Sequence, residues 1–429
     1  MSIGTFLKEW GLDPSCVDIE AVSRAFLDDM DAGLRVEGGS VLRMIPTYTG
    51  SDCRPEPGAS VAVVDAGGTN LRTCLVTFGP DGPVISDFVR TPIPGSHGAV
   101  SAAEFFDELV RRVGPLLSRT DRLGFCFSYD IQNTPDGDAV PISFSKEVRI
   151  DGLKGIRLGA TLKEQLVRSG VSGQGLTVRV VNDTVSTLLA GCSRAGAGFD
   201  GYVGFILGTG LNIAYVQPTA GIGKIAGQRD LPESMIINTE CGEFRCDLGP
   251  IDPLLRSMTD GPDIHWLEKM TSGAYLGPLA WLATSKAVEQ GLFSAAFAHR
   301  FEKVQKLETG DLSALLSQSG CGVLTDCLGG DYSSSDASRL QAIAESVVRR
   351  SARLSAAALS ATILKSGCGS RPDRPVCVNV DGTTYYRTPG LAECTQATLS
   401  GYLTEKKGRY FRLVKIDDSP IVGTAVSTF

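Results

Sequence analysis

Residues 61 to 76, VAVVDAGGTNLRTCLV, set an acid, two glycines, a threonine and an asparagine between two apolar runs, with Arg72 just inside the second. Two chemistries fit this spacing. In one, the stretch is only a tight hairpin, the glycines supplying positive φ and Asp or Asn tolerating turn geometry. In the other, the missing side chains let the main chain approach phosphate oxygens. The N–H groups of Gly67 and Gly68 then donate with Thr69 and Asn70, and Asp65 faces a phosphate-borne Mg²⁺ through water. Arg72 pairs either with phosphate or with a neighbouring acid. A second stretch, YVGFILGTGLNIAYV at 202 to 216, repeats the pattern: two apolar strands meet at Gly208-Thr209-Gly210, with Asn212 just beyond. A third, TVRVVNDTVSTLLAG, ends a strand at Asn182-Asp183 and begins a helix at once. Other nucleotide loops are excluded. Pro218 and Ile225 spoil a Walker pattern around Lys224, and Leu211, Asn212 and Ile213 break a GxGxxG reading after Gly210.

These residues need a scaffold to hold them. The chain has 429 residues, 42% of them hydrophobic and 21% charged, which points to a globular protein of two packed units. A formal charge of −7 provides no basic field for nucleic acid or an anionic membrane. No run reaches membrane-spanning length, and the amino-terminal residues lack a signal-type apolar core, so a cytoplasmic location is expected. None of the twelve cysteines falls in a CxxC pair, and they read as small buried hydrophobes in a reducing compartment. The three histidines, His97, His265 and His299, read as surface or loop residues, which leaves carboxylates as the place to look for a base. Apolar spacing predicts a helix within 16 to 38 and another over AAEFFDELVRRVGPLL. SVAVVD, LRTCLVTF and PVISDFVRTPI read as a three-strand meander, followed by strands RLGFCFSY and TVRVV. Strands interleaved with helices argue for α/β layering. The two glycine hairpins, one in each half, suggest an old duplication.

The hairpin at 65 to 72 resembles the DxGGTNxR segment of eukaryotic-type hexokinases, which belong to the actin-like sugar-kinase superfamily. Further segments resemble that family in the same order: FLDDMDAGLRVEGGSVLRMIPTYT, LGFCFSY, VVNDTVSTLLAG, GTGLNIAYV, IINTECGEF, LEKMTSGAYLG and NVDGTTYY. The resemblance implies an α/β, two-lobed actin-like ATPase (ribonuclease H-like) fold with mixed central sheets and an inter-lobe cleft. The small lobe is expected over 60–183 plus 410–429, and the large lobe over 1–59 plus 184–409. It implies transfer of the γ-phosphoryl group of ATP, with Mg²⁺ carried by the nucleotide, to the 6-hydroxyl of a hexose. A hexose and ATP are then the small-molecule partners, and oligomeric state is left open.

A hexose needs many fixed hydrogen-bond partners around a small ring. The matched segments supply Ser128, Ser145, Lys146, Asn182, Asp183, Asn212, Glu240 and Glu268. Singly, each could be a cap or a solvated loop residue. Asp183 is the implied catalytic base; its plainer reading is a helix N-cap. Lys146 would steady the developing charge. Asp65, Gly67, Gly68, Thr69, Asn70 and Thr209 would face the phosphates, and Asp381, Gly382 and Thr383 the nucleotide. The chain also departs from the family pattern. Tyr129-Asp130 replaces Phe-Pro, Ser145-Lys146 survives without its usual Gly-Phe, and Cys241, Glu243 and Arg245 replace Trp, Ala and Gly. Pro420 stands where a phosphate-facing N–H would be wanted. These changes motivate an alternative, a non-catalytic hexose-binding sensor on the same fold. The repressor/kinase group of this superfamily is disfavoured, because neither a DNA-binding helix pair nor a cysteine-rich zinc segment is found.

Overall fold

The computed structural model describes residues 1–142, 148–194, 198–317, 322–330 and 334–429. In chain order, the strands of its two main sheets are β1 (Ile45–Pro46), β2 (Ser60–Gly67), β3 (Asn70–Gly79), β4 (Gly82–Pro92), β5 (Arg122–Phe127) and β6 (Thr177–Val181). They continue with β7 (Gly201–Leu207), β8 (Leu211–Pro218), β9 (Ser234–Asn238), β10 (Val376–Asp381) and β11 (Phe411–Val414). The five-stranded sheet runs β6-β5-β2-β3-β4, and the six-stranded sheet β1-β9-β8-β7-β10-β11. In each, an antiparallel three-strand meander (β2-β3-β4 or β7-β8-β9) is extended by two parallel strands beside its first member. The repeated topology gives structural form to the duplication suggested by the paired hairpins. β2 is buried almost throughout, as a strand covered on both faces must be, and this accounts for its unbroken apolar run.

Between the sheets lies a pair of helices, α2 (Asp183–Arg194) and α5 (Ser419–Val426), with α1 (Ile19–Arg35), α3 (Trp266–Thr271) and α4 (Ser335–Ser366) elsewhere in the fold. α2 packs on β7 and β10, α5 packs on β2 and β5, and the two helices pack on each other. Both helices approach their sheets at backbone distance. A Cβ on Gly204 of β7 would lie 2.5 Å from the Thr184 carbonyl oxygen, and one on Gly124 of β5 would lie 2.6 Å from that of Thr424. One apolar cluster threads this layer, from Val61 and Val63 through Val185, Leu188 and Ile421 to Ala214 and Ile236.

The larger lobe is completed by helices, most of them between residues 251 and 366. α4 is 32 residues long and buries its apolar side against α1 and the six-stranded sheet. Within it, Arg350 is fully buried and pairs with equally buried Asp252. The expected first helix is trimmed to α1, because Pro14–Cys16 form a separate 3₁₀ turn and Asp18 caps the Ala21 N–H. One expected lobe boundary is corrected. β11 hydrogen-bonds to β10, so 411–414 belongs to the six-stranded sheet, and only α5 reaches the other. The eleven described cysteines are all free. Among the described residues, no helix is long and apolar enough to cross a membrane.

Candidate active site

A cavity of about 660 Å³ opens between the two sheets, within the range of small-ligand sites. Both hairpin turns reach its wall. In the first, Gly68 has φ +58°, as the first position of a two-residue hairpin turn demands, and Asp65 stands directly opposite Arg72 in the β2–β3 register. Their ion pair is 2.7 Å long, and Asp65 is only 3% exposed. Burial raises the Asp65 carboxyl above its ordinary range, opposed by the Arg72 guanidinium. Of the two readings of Arg72, the acid partner is therefore the one observed. Asn70 accepts a hydrogen bond from Arg90 Nε at 2.8 Å.

The second turn is held from behind. The Gly208 carbonyl accepts from the Gly273 N–H at 2.8 Å and the Thr384 hydroxyl at 2.8 Å, and the Thr209 carbonyl accepts from the Ala274 N–H at 3.2 Å. These bonds use the carbonyls of the turn and leave the exposed Thr209 side chain on the cavity wall. Asp381, Gly382 and Thr383, at the end of β10, line the wall beside it.

The opposite end is rich in carboxylates and amides. Glu240, held in the left-handed region at φ 53°, accepts at Oε1 from Asn238 (2.7 Å) and Asn212 (3.3 Å). Glu268, on α3, accepts at Oε2 from the Leu211 N–H at 3.1 Å. A Cβ on Gly210 would come within 2.7 Å of that same oxygen. Each carboxylate is thus anchored through one oxygen. Burial first, then the Asp130 carboxylate, holds Glu240 well above the carboxylate range, while Arg43 and the Asn238 amide oppose. Burial also raises Glu268, opposed by His265 and the Leu211 N–H.

Asp183 lies on the wall with both groups of residues. Asn182 Oδ1 takes the Thr184 N–H at 2.9 Å, so the capping role falls to Asn182 and the Asp183 carboxyl stays on the cavity. Burial pushes that carboxyl up to about 6, with the Asp65 carboxylate as the next cause, against hydrogen bonds from Thr184. A carboxyl so placed can take a proton from an alcohol near neutral pH.

The wall thus unites Asp65, Gly67, Gly68, Asn70, Arg72, Ser128, Asn182, Asp183, Thr209, Asn212, Glu240, Glu268, Gly382 and Thr383. Thr69 is exposed at the turn and is not part of it. Ser145 and Lys146 lie outside the described residues. Among the wall residues that sequence reasoning did not place in the site are Glu243 and His265, each three positions from an expected sugar carboxylate. It read Arg245 as a departure near the site. Arg245 is not on the wall but reaches over the Trp266 ring at 5.4 Å. Pro420 does line the cavity, near the start of α5.

Two family models, both described as Hexokinase, match residues 6–193 and 202–429. Hexokinase-7 of Oryza sativa subsp. japonica is 28% identical over 435 residues, spanning 95% of this chain and 92% of its own length. Hexokinase-2 of Solanum tuberosum is 29% identical over 439 residues, spanning 95% and 87%. The solved hexokinase from Schistosoma mansoni, complexed with glucose, superposes with a TM-score of 0.80 at 25% identity, covering 99% of this chain and 98% of that one. The ROK hexokinase of Thermus thermophilus, at 16% identity and a TM-score of 0.52 over 86% of this chain and 97% of its own, shares the fold alone.

Proposed function

The chain belongs to the hexokinase family, and on that premise we propose that it transfers the γ-phosphoryl group of Mg-ATP to the 6-hydroxyl of a hexose, glucose foremost, in the cytoplasm. The observation that carries the reading is the position of Asp183: its raised carboxyl shares one wall with two glycine turns and with the Glu240 and Glu268 carboxylates. Asp183 takes the 6-hydroxyl proton as that oxygen bonds to the γ-phosphorus and the bond to the ADP oxygen breaks. Such transfer depends chiefly on alignment and charge neutralisation, so a carboxylate suffices as base. Asn182, Asn212, Glu240, Glu268, Ser128 and Ser145 hold the ring, and Lys146 steadies the developing charge. The turns at 67–70 and 208–210 donate to the phosphates. Gly382 and Thr383 flank the nucleotide, and Arg72 pairs with Asp65 and opposes the upward pull of burial on its carboxyl.

Magnesium bound to the triphosphate supplies charge neutralisation. The wall suits a cation that arrives with the nucleotide. Asp65, Asp183 and Asp381 line it, whereas among the described residues no cluster of three or more His, Cys, Asp or Glu forms a metal-holding group of its own. Asp65 would reach the cation through water. Closure of the lobes around both substrates would expel water that otherwise competes for the phosphoryl group.

The test is a coupled assay with Mg-ATP and several hexoses, run beside Asp183→Ala. Formation of hexose 6-phosphate, nearly abolished in the variant while some hexose binding persists, is expected. Wild-type turnover in the variant would remove Asp183 from its role. One observation favours a second reading, a hexose-binding sensor without transfer: Pro420 on the wall lacks the N–H that a phosphate would use. Hexose binding by calorimetry with no product in the assay would select it.

A further inference from the structure

The Tyr129-Asp130 dipeptide stands where the family pattern has Phe-Pro, and it makes two contacts for which Phe-Pro has no side-chain polar atom. Tyr129 Oη donates to the Gly68 carbonyl, in the first glycine turn, at 2.6 Å. The Tyr129 ring is buried and lies 4.9 Å from the Phe127 ring, so its hydroxyl is carried on a fixed arm. A peptide unit is planar, and pinning the Gly68 carbonyl therefore sets the direction of the Thr69 N–H. Asp130 reaches the other way. It follows β5 of the five-stranded sheet, and its Oδ2 is 3.5 Å from Nη1 of Arg43, which precedes β1 of the six-stranded sheet. This ion pair spans the two sheets beside the cavity, whose wall includes both Tyr129 and Asp130. Arg43 is held on its own side: its carbonyl accepts from Lys224 Nζ at 2.5 Å, and the adjoining Met44 N–H donates to the Thr239 carbonyl at 3.3 Å. Its guanidinium also opposes the upward pull of burial and of Asp130 on the Glu240 carboxyl. Arg43 Nη1 is buried and has no hydrogen-bond partner among the described residues. Charge-assisted N–H···O bonds are about 2.7–2.9 Å long, so an approach of the sheets by less than about 1 Å turns this contact into one.

We propose that Tyr129 and Asp130 are positioning residues that couple the two substrates. Hexose held at Glu240 draws Arg43 onto Asp130, and Tyr129 passes that restraint to the phosphate turn at Gly68, so a bound hexose tightens the site for the nucleotide. The proposal rests on the hexose-kinase reading above and adds the route by which one substrate prepares the site for the other. The free energy of coupling comes from the Arg43 N–H, which is short of an acceptor at 3.5 Å and gains one on closer approach.

The test is calorimetric binding of a Mg-bound, non-hydrolysable ATP analogue with and without saturating glucose, beside the coupled assay for product. It compares the wild type with Tyr129→Phe, Asp130→Asn, Asp130→Glu, Arg43→Gln and the double variant Asp130→Asn/Arg43→Gln. In the wild type, glucose should tighten the analogue by about fivefold or more, within the usual range of coupling between sites. Tyr129→Phe, Asp130→Asn and Arg43→Gln should each bring that factor to within about twofold of one. The double variant should lose no more than either single one, and Asp130→Glu, which keeps the charge, should retain most of the factor. A factor unchanged in either Tyr129→Phe or Asp130→Asn, even with both ligands weakened, would assign that residue a structural role only and overturn the proposal. So would a wild type that forms product while glucose leaves the analogue's affinity unaltered; in both cases the kinase reading stands. A wild type that forms no hexose 6-phosphate would instead sink the kinase reading, and this proposal with it.

Discussion

Asp183 is ionised only above about pH 6, because burial and the Asp65 carboxylate raise it from 3.8. A base must be deprotonated to act, so kcat/KM for hexose should fall tenfold per pH unit below about 6 and level off above it. A profile flat down to pH 5 would remove Asp183 from that role. The same shift carries a stability consequence of definite sign. The folded-state value lies above the unfolded one, so this group's favourable contribution is complete at low pH and is lost as pH rises from about 4 through about 6. Asp183→Asn should therefore melt higher than wild type at pH 7.5 while nearly inactive, and this advantage should fade toward pH 4. At this scale the sequence was uneven. The Asp65–Arg72 pair could have been read directly, since a two-residue turn at Gly68-Thr69 makes those positions cross-strand neighbours. The contact of His265 Nδ1 with Glu243 Oε1, 3.1 Å long, could not, because its partners lie 22 residues apart and meet at a left-handed bend before α3.

In the proposed reading the second hairpin serves both ends of the cavity, the sugar side through Gly210 and the phosphate side through Gly208, and glycine substitutions can address the two sides separately. In Gly210→Ala the new methyl would sit 2.7 Å from Glu268 Oε2, pressing on the carboxylate at the sugar end. In Gly273→Ala it would sit 2.1 Å from the Thr384 hydroxyl and 2.9 Å from the Gly208 carbonyl, behind the second turn. Gly210→Ala should raise hexose KM by about tenfold or more with a smaller change for ATP, and Gly273→Ala should show the reverse, as displacements near 1 Å can do. Equal changes in both constants for both variants would contradict this division. The hairpins themselves were legible because a glycine turn between apolar runs is a local signal. The place of β11 was not. It joins β10 only after an intervening helical excursion, and no pattern within Phe411–Val414 specifies that neighbour.

The scaffold as a whole leans on a few buried commitments that composition does not reveal. Arg350, midway along α4, has no exposed side-chain surface and depends on Asp252, while its Nε and Nη1 have no hydrogen-bond partner among the described residues. Asp252→Ala should cost about 3–5 kcal/mol in a denaturant melt, since it strands a guanidinium in the core. A loss below 1 kcal/mol would mean that water or a neighbour already compensates it. The α2–α5 layer is the other commitment. A methyl on Gly423 would stand 1.7 Å from the Ser186 carbonyl oxygen, so the two helices touch backbone to backbone. Any swing of one sheet relative to the other must turn on that contact, and points travel in proportion to their distance from an axle. Asp183 opens α2 and sits close to it, whereas the outlying loops ride at a longer radius. The proton acceptor would then be nearly stationary, and the reactants would be carried to it.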